Sequence, residues 1–210
     1  MPLFAKRQLE HFTIAIWNVT EDLSFFTEKT NFSANDKSYY QHINNERRRR
    51  EWVVVRYLLQ NVIGIDEEIR YDENGRPKIK SHHISISHSG SMVVIVVSKH
   101  RCAVDIEEIS SRVSKVAHRV FSDSELSFAQ TDEELTVMWC VKEAVFKLYG
   151  SGEVDFKSDI KIESIKDFKS GVISCRFLKK NVLLNNLNLE TIGNFKMVWI
   201  VDNLNICHDF

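Results

Sequence analysis

Ile84-Ser85-Ile86-Ser87-His88-Ser89-Gly90 leads through Ser91 into Met92-Val93-Val94-Ile95-Val96-Val97, and Ala103-Val104-Asp105-Ile106 follows a few residues later. The alternation of Ile84 and Ile86 and the apolar run Met92–Val97 read as two strands joined at Ser87-His88-Ser89-Gly90, with a third strand over 103–106. Upstream, Trp52, Val55, Leu59, Val62 and Ile63 repeat at helical spacing, so 44–63 reads as a helix that Gly64 stops. Between the two lies Asp72-Glu73-Asn74-Gly75-Arg76-Pro77, a turn carried by Asn-Gly and closed by proline. Downstream, Thr131 and Glu134 form a capping-box signature for a helix over 132–149, with Val137, Val141, Ala144, Val145 and Leu148 as its buried stripe. Gly150-Ser151-Gly152 is the expected stop. Residues 11–17 read as a strand, 20–42 as a short helix and loops, and 160–206 as four or five short strands, among them 160–165, 172–178 and 195–201. Each half thus carries a helix and several strands. The expected class is α+β, dividing near Arg101 into segments 1–101 and 102–210.

Composition narrows the function. The chain has 210 residues, 43% hydrophobic and 27% charged, with a net charge of -1. This is the composition of an ordinary globular protein, and any affinity for anions must come from a local cluster. Arg47-Arg48-Arg49-Arg50 is basic, but neither interleaved aromatics nor a basic tail accompanies it, which argues against nucleic acid. Met92–Val97 is the longest wholly apolar stretch and is too short to cross a bilayer, so no membrane role is expected. The opening Met-Pro-Leu-Phe-Ala-Lys-Arg lacks the apolar run of a signal peptide, and a cytoplasmic location is the expectation. Cys102, Cys140, Cys175 and Cys207 are scattered, which suits reduced structural thiols rather than a disulfide framework or a zinc site.

Four constellations carry chemistry. In a strand, Asp105 and Glu107 share one face while Val104 and Ile106 take the other. Two hard oxygen donors on a rigid strand suit Mg²⁺, although an isolated D-x-E is more often a solvated strand face. Glu143 and Lys147 stand one helical turn apart, either as a surface ion pair or as a third carboxylate followed by a phosphate-neutralising lysine. His88 has only small neighbours and room for an anion, although a turn histidine is often merely solvated. Arg49 and Arg56 fall on nearly one helix face, where guanidinium groups could grip phosphate or simply meet water.

Taken in order, Gly75-Arg76-Pro77, Ile86-Ser87-His88-Ser89, Val104-Asp105-Ile106-Glu107 and Trp139-x-x-Lys142-Glu143-x-x-x-Lys147 resemble the 4'-phosphopantetheinyl transferase superfamily. The length and the two halves are similar to its larger, surfactin-synthetase-activating branch. Arg48-x-x-Glu51-Trp52-x-x-x-Arg56 is similar to a helix that precedes the motifs there. The family turn often reads Gly-Lys-Pro, and Gly75-Arg76-Pro77 keeps its positive charge; Ala103 stands where many members have glycine. The resemblance implies a pseudo-twofold pair of α/β subdomains, each a small antiparallel sheet on helices, with coenzyme A in the cleft between them. It implies Mg²⁺ held by Asp105, Glu107 and Glu143. Coenzyme A would meet Arg48, Arg49, Arg56, Arg76, Pro77, Ser87, His88, Asp105, Glu143 and Lys147, with His88 and the arginines on the 3'-phosphate, Arg76 on the adenine-ribose end and Lys147 on the pyrophosphate. Catalysis would fall to Glu143, Lys147 and His88, with Glu143 taking the proton of a carrier serine, directly or through a water. The implied partner is an acyl, peptidyl or aryl carrier protein, usually acidic around its serine. Residues 112–128, with Arg112, Lys115 and Arg119 among Val113, Val116, Val120 and Phe121, are expected to meet it. Two built-in halves suggest a monomer.

Two other classes fit some of the same residues. A metal-dependent phosphohydrolase or nuclease could use the carboxylates, but it would need no acceptor serine. A non-catalytic scaffold could keep the fold, but it would need neither the three carboxylates nor His88 and Lys147.

Overall fold

The computed structural model describes residues 3–149 and 153–202. The chain forms two compact units, Met1–Lys99 and His100–Phe210. Both are α+β, with antiparallel sheets packed on helices.

The first unit comprises β1 (Leu3–Gln8), β2 (Phe12–Asn18), α1 (Leu23–Thr27), α2 (Ala34–Gln41), α3 (Glu46–Tyr57), β3 (Arg70–Tyr71), β4 (Pro77–Lys78), β5 (His83–Ser89) and β6 (Met92–Ser98). Its main sheet has the order β1-β2-β6-β5. Asn45 starts α3 by accepting the Arg48 N–H on its side chain, which satisfies one of the helix's orphan donors. Trp52, Val53, Val54, Val55, Leu58 and Leu59 then pack in one core with Ala15 and Trp17 of β2 and Val93, Ile95 and Val97 of β6. The expected continuous helix changes character at its end. Leu58–Ile63 is a π-helical turn, in which the Gly64 N–H reaches back to Leu59 O, and Gly64 closes it at φ 92°.

The strand pair of the opening motif differs from expectation. Ser87, His88 and Ser89 belong to β5, opposite Val94, Val93 and Met92, and the chain reverses at Gly90-Ser91. Gly90, at φ 56°, supplies the conformation that a two-residue hairpin requires. The expected 72–77 turn is present: Gly75 N–H donates to Asp72 O, and Asp72 Oδ1 accepts the Asn74 and Arg76 N–H groups.

The second unit comprises β7 (Cys102–Glu108), α4 (Ala117–Val120), α5 (Asp123–Leu126), α6 (Asp132–Tyr149), α7 (Phe156–Asp159), β8 (Ile160–Ile165), β9 (Ser170–Phe177), β10 (Val182–Ile192) and β11 (Phe195–Val201). The sheet order is β7-β11-β10-β9-β8. The capping box forms at the head of α6: Glu134 N–H donates to Thr131 Oγ1, and Thr131 N–H donates to Glu134 Oε2. Val137, Val141, Ala144, Val145 and Leu148 pack on Ala103, Val198, Ile200, Leu187 and Leu189 of the sheet. Each such aliphatic side chain contributes about 1.5–3 kcal/mol through burial, which fixes α6 on the strands. The expected helix stop at Gly150-Ser151-Gly152, Cys207 and the end of the 160–206 strand region lie outside the described residues. Cys102, Cys140 and Cys175 are buried and not in disulfides. Among the described residues no helix is long and apolar enough to cross a membrane.

Candidate active site

In the second unit, β7 alternates so that Ala103, Asp105 and Glu107 lie on one face, with Ala103 in the core beneath α6. Asp105 is buried and Glu107 half-buried. Lys147, from the last turn of α6, donates to Asp105 Oδ1 at 2.7 Å and to Val104 O at 3.1 Å. Glu143 is one turn earlier. Burial raises its carboxyl pKa to about 7, and the negative charges of Asp105 and Glu107 push the same way, while Lys147 partly offsets them. The strand carboxylates and the helix Glu–Lys pair, separate in sequence, thus form one electrostatic cluster. Cys140, one turn before Glu143, is held in its thiol form by burial and by Asp105, and its Sγ–H donates to Lys196 O. It is a structural thiol rather than a nucleophile.

The donor set suits a hard divalent cation: three carboxylates, with no sulfur or imidazole among the residues assigned to it. Among the described residues, no group of three or more His, Cys, Asp or Glu side chains is placed so that it could hold a metal ion. The ammonium of Lys147 balances the charge of Asp105.

Lys142, next to Glu143, points elsewhere. It is fully buried, and Glu125 Oε2, Phe156 O, Ile160 O and Val120 O all lie within hydrogen-bond reach of its Nζ. Nothing in its local sequence signals this, because every partner lies at least 14 residues away.

In the first unit, His88 Nδ1 lies 3.3 Å from Glu51 Oε1, the same oxygen that receives Arg47 Nε at 2.8 Å. Glu51 was not among the expected site residues, although its helical i+4 relation to Arg47 is legible. Arg48 is exposed. Arg49 is half-buried; its Nη2 donates to Ile43 O and its guanidinium lies over the Tyr40 ring. Arg76 is half-buried, and its Nη2 is buried with no hydrogen-bond partner among the described residues. Pro77 opens β4, and Ser87 is buried in β5.

Two expectations are corrected. Arg56 does not offer its guanidinium to a ligand. It is buried, its Nε donates to Asp36 Oδ1 at 2.7 Å, and it stacks 3.4 Å over Trp52. Asp36 Oδ2 in turn receives the Ser33 N–H and hydroxyl at the start of α2. Arg56 is therefore a structural tie. In 112–128, Val113, Ala117 and Phe121 are core residues rather than surface. The exposed residues of the segment are Arg112, Lys115, His118 and Arg119 in its first half and Asp123, Ser124, Ser127 and Phe128 in its second.

Residues 101–191 match the model of the 4'-phosphopantetheinyl transferase superfamily. The chain is 32% identical over 112 residues to 4'-phosphopantetheinyl transferase gsp of Aneurinibacillus migulanus, covering 49% of this chain and 47% of that protein. It is 33% identical over 112 residues to 4'-phosphopantetheinyl transferase psf-1 of Bacillus pumilus, covering 48% of each. It is 31% identical over 112 residues to 4'-phosphopantetheinyl transferase Sfp of Bacillus subtilis (strain 168), covering 48% of this chain and 50% of that protein. The chain spans about half the length of the curated relatives it matches. Asp105, Glu107, Glu143 and Lys147 all fall within the segment that matches the 4'-phosphopantetheinyl transferase superfamily.

Proposed function

We propose that the chain transfers the 4'-phosphopantetheine arm of coenzyme A to a serine of an apo carrier protein and releases 3',5'-ADP. The observation that carries this is the cluster formed by α6 and β7: Lys147 Nζ lies 2.7 Å from Asp105 Oδ1, with Glu107 on the same strand face as Asp105 and Glu143 one helical turn before Lys147.

Asp105, Glu107 and Glu143 would hold Mg²⁺, whose charge would offset that of the pyrophosphate. Glu143, directly or through a water, takes the proton as the serine oxygen bonds to the phosphorus bearing pantetheine. The bond from that phosphorus to the bridging oxygen breaks, and its electron pair leaves on 3',5'-ADP. Lys147 exchanges Asp105 for the pyrophosphate oxygens and neutralises charge as it builds there. His88, Arg48 and Arg49 meet the 3'-phosphate and Arg76 the adenine-ribose end, with Pro77 and Ser87 also lining the coenzyme A site. Glu51 Oε1, 3.3 Å from His88 Nδ1, holds the ring in place for the 3'-phosphate contact. The exposed basic residues of 112–128 meet an acidic carrier. The enzyme would work as a cytoplasmic monomer.

Mass spectrometry of an apo carrier protein incubated with the chain, coenzyme A and Mg²⁺ tests this. A mass gain of one phosphopantetheine is the expected result. An unmodified carrier, under conditions where a known transferase modifies it, would overturn the proposal.

A further inference from the structure

Lys142 is the one lysine of α6 that the proposed reaction leaves unused, and it lies at the centre of a buried junction. Four acceptors surround its ammonium within 3.2 Å: Val120 O, Glu125 Oε2, Phe156 O and Ile160 O. An ammonium has three protons, so none remains for a substrate. Glu125 is equally committed. Its Oε2 also takes the Ser122 N–H at the head of α5, and its Oε1 takes the Ile162 N–H of β8. One ion pair therefore ties α6 to the end of α4, to α5, to α7 and to β8.

We infer that Lys142, through Glu125, is a positioning residue that fixes the rotation of α6 and so aims Glu143 and Lys147 at Asp105. Successive helix residues differ by about 100° in direction. With Lys142 locked inward against 120, 125, 156 and 160, Glu143 and, one turn on, Lys147 are held on the β7 side. Each apolar contact of α6 tolerates some rotation, whereas a saturated ammonium among four fixed oxygens does not. Through Val120 O the same junction holds the end of α4, which follows the exposed Arg112, Lys115 and Arg119. The part of this inference that concerns turnover rests on the transferase proposal; the part that concerns the anchor does not.

The test compares Lys142→Met with Lys142→Met/Glu125→Gln in the full chain, by thermal melts and by steady-state transfer kinetics. Lys142→Met leaves the Glu125 charge buried and unpaired, and its melting midpoint should fall by about 10 °C. Its kcat should fall about tenfold to a hundredfold while KM for coenzyme A stays within about twofold, the pattern of a displaced reacting group. Neutralising Glu125 in the double variant should recover at least half of the midpoint loss and most of kcat. A double variant that melts like the wild type yet stays as slow as the single would mean that Lys142 acts on the substrate, and would overturn the inference. So would a double variant no more stable than the single. A wild type that transfers nothing would instead sink the transferase proposal, and the melts would still decide whether the pair anchors α6.

Discussion

Lys147 Nζ and Asp105 Oδ1 lie 2.7 Å apart, joining the last turn of α6 to the middle of β7 across 42 positions of sequence. Neither motif alone implies that pairing; it follows from the packing of a helix with Glu143 and Lys147 one turn apart against a strand with Asp105 and Glu107 on one face.

Replacing Asp105 with alanine should remove transfer while the fold survives. Lys147 is partly exposed and can turn to water, so the stability cost should be about 1 kcal/mol. Kinetics across a Mg²⁺ titration, with melts alongside, provide the check. Near wild-type turnover at ordinary Mg²⁺ would remove Asp105 from the site.

Glu143 should make the metal-free protein less stable as pH rises. Its folded pKa, about 7, exceeds the ordinary 4.5, so the folded state holds a proton that the unfolded state has lost between those values. The stabilisation is complete below about pH 4.5 and is lost as pH climbs to about 7, at most about 3 kcal/mol in all. Glu143→Gln should flatten that slope. Melts at pH 5 and pH 8 in chelator measure it, and equal slopes in both proteins would mean Glu143 is not held in its acid form.

Much of this was legible in the sequence. Thr131 and Glu134 marked the start of α6, the apolar stripe marked its buried face, and the D-x-E alternation put both carboxylates on one side, because these are local patterns with fixed periods. What escaped depends on partners distant in the chain. Arg56 looked like a phosphate ligand because its guanidinium fits one, and its burial depends on Asp36, 20 residues away. Val113 and Phe121 looked exposed because short irregular helices carry no clear period. β1 escaped because Ala5-Lys6-Arg7-Gln8 is polar, and its strand is set by pairing with β2. His88 reads as a turn residue because Ser and Gly surround it, yet in β5 it pairs with Val93, and the reversal needs only Gly90-Ser91.

The two arginine roles can be separated on α3. Arg48→Ala should weaken coenzyme A about tenfold to a hundredfold and narrow its advantage over the 3'-dephospho form. Arg56→Met strands Asp36 in the core and should cost about 3–5 kcal/mol, with no selective loss of 3'-phosphate recognition. Binding titrations with both nucleotides, together with denaturant melts, distinguish them. A wild type that binds both forms equally would contradict the His88 and Arg48 assignment.

Reversing Lys115 and Arg119 to glutamate should slow transfer to an acidic carrier and leave coenzyme A affinity unchanged. Both side chains are exposed, so the fold should tolerate the change. The effect should shrink as salt is added, as expected for steering between exposed charges. A loss confined to coenzyme A affinity would place the docking surface elsewhere.

The most direct measurement is the yield of 3',5'-ADP from coenzyme A with Mg²⁺, with and without apo carrier, in the wild type and in Glu143→Gln. The account predicts that 3',5'-ADP appears only with carrier, one for each modified serine, and that Glu143→Gln slows it by at least ~10²-fold. Release of 3',5'-ADP without carrier, or full activity in Glu143→Gln, would contradict it.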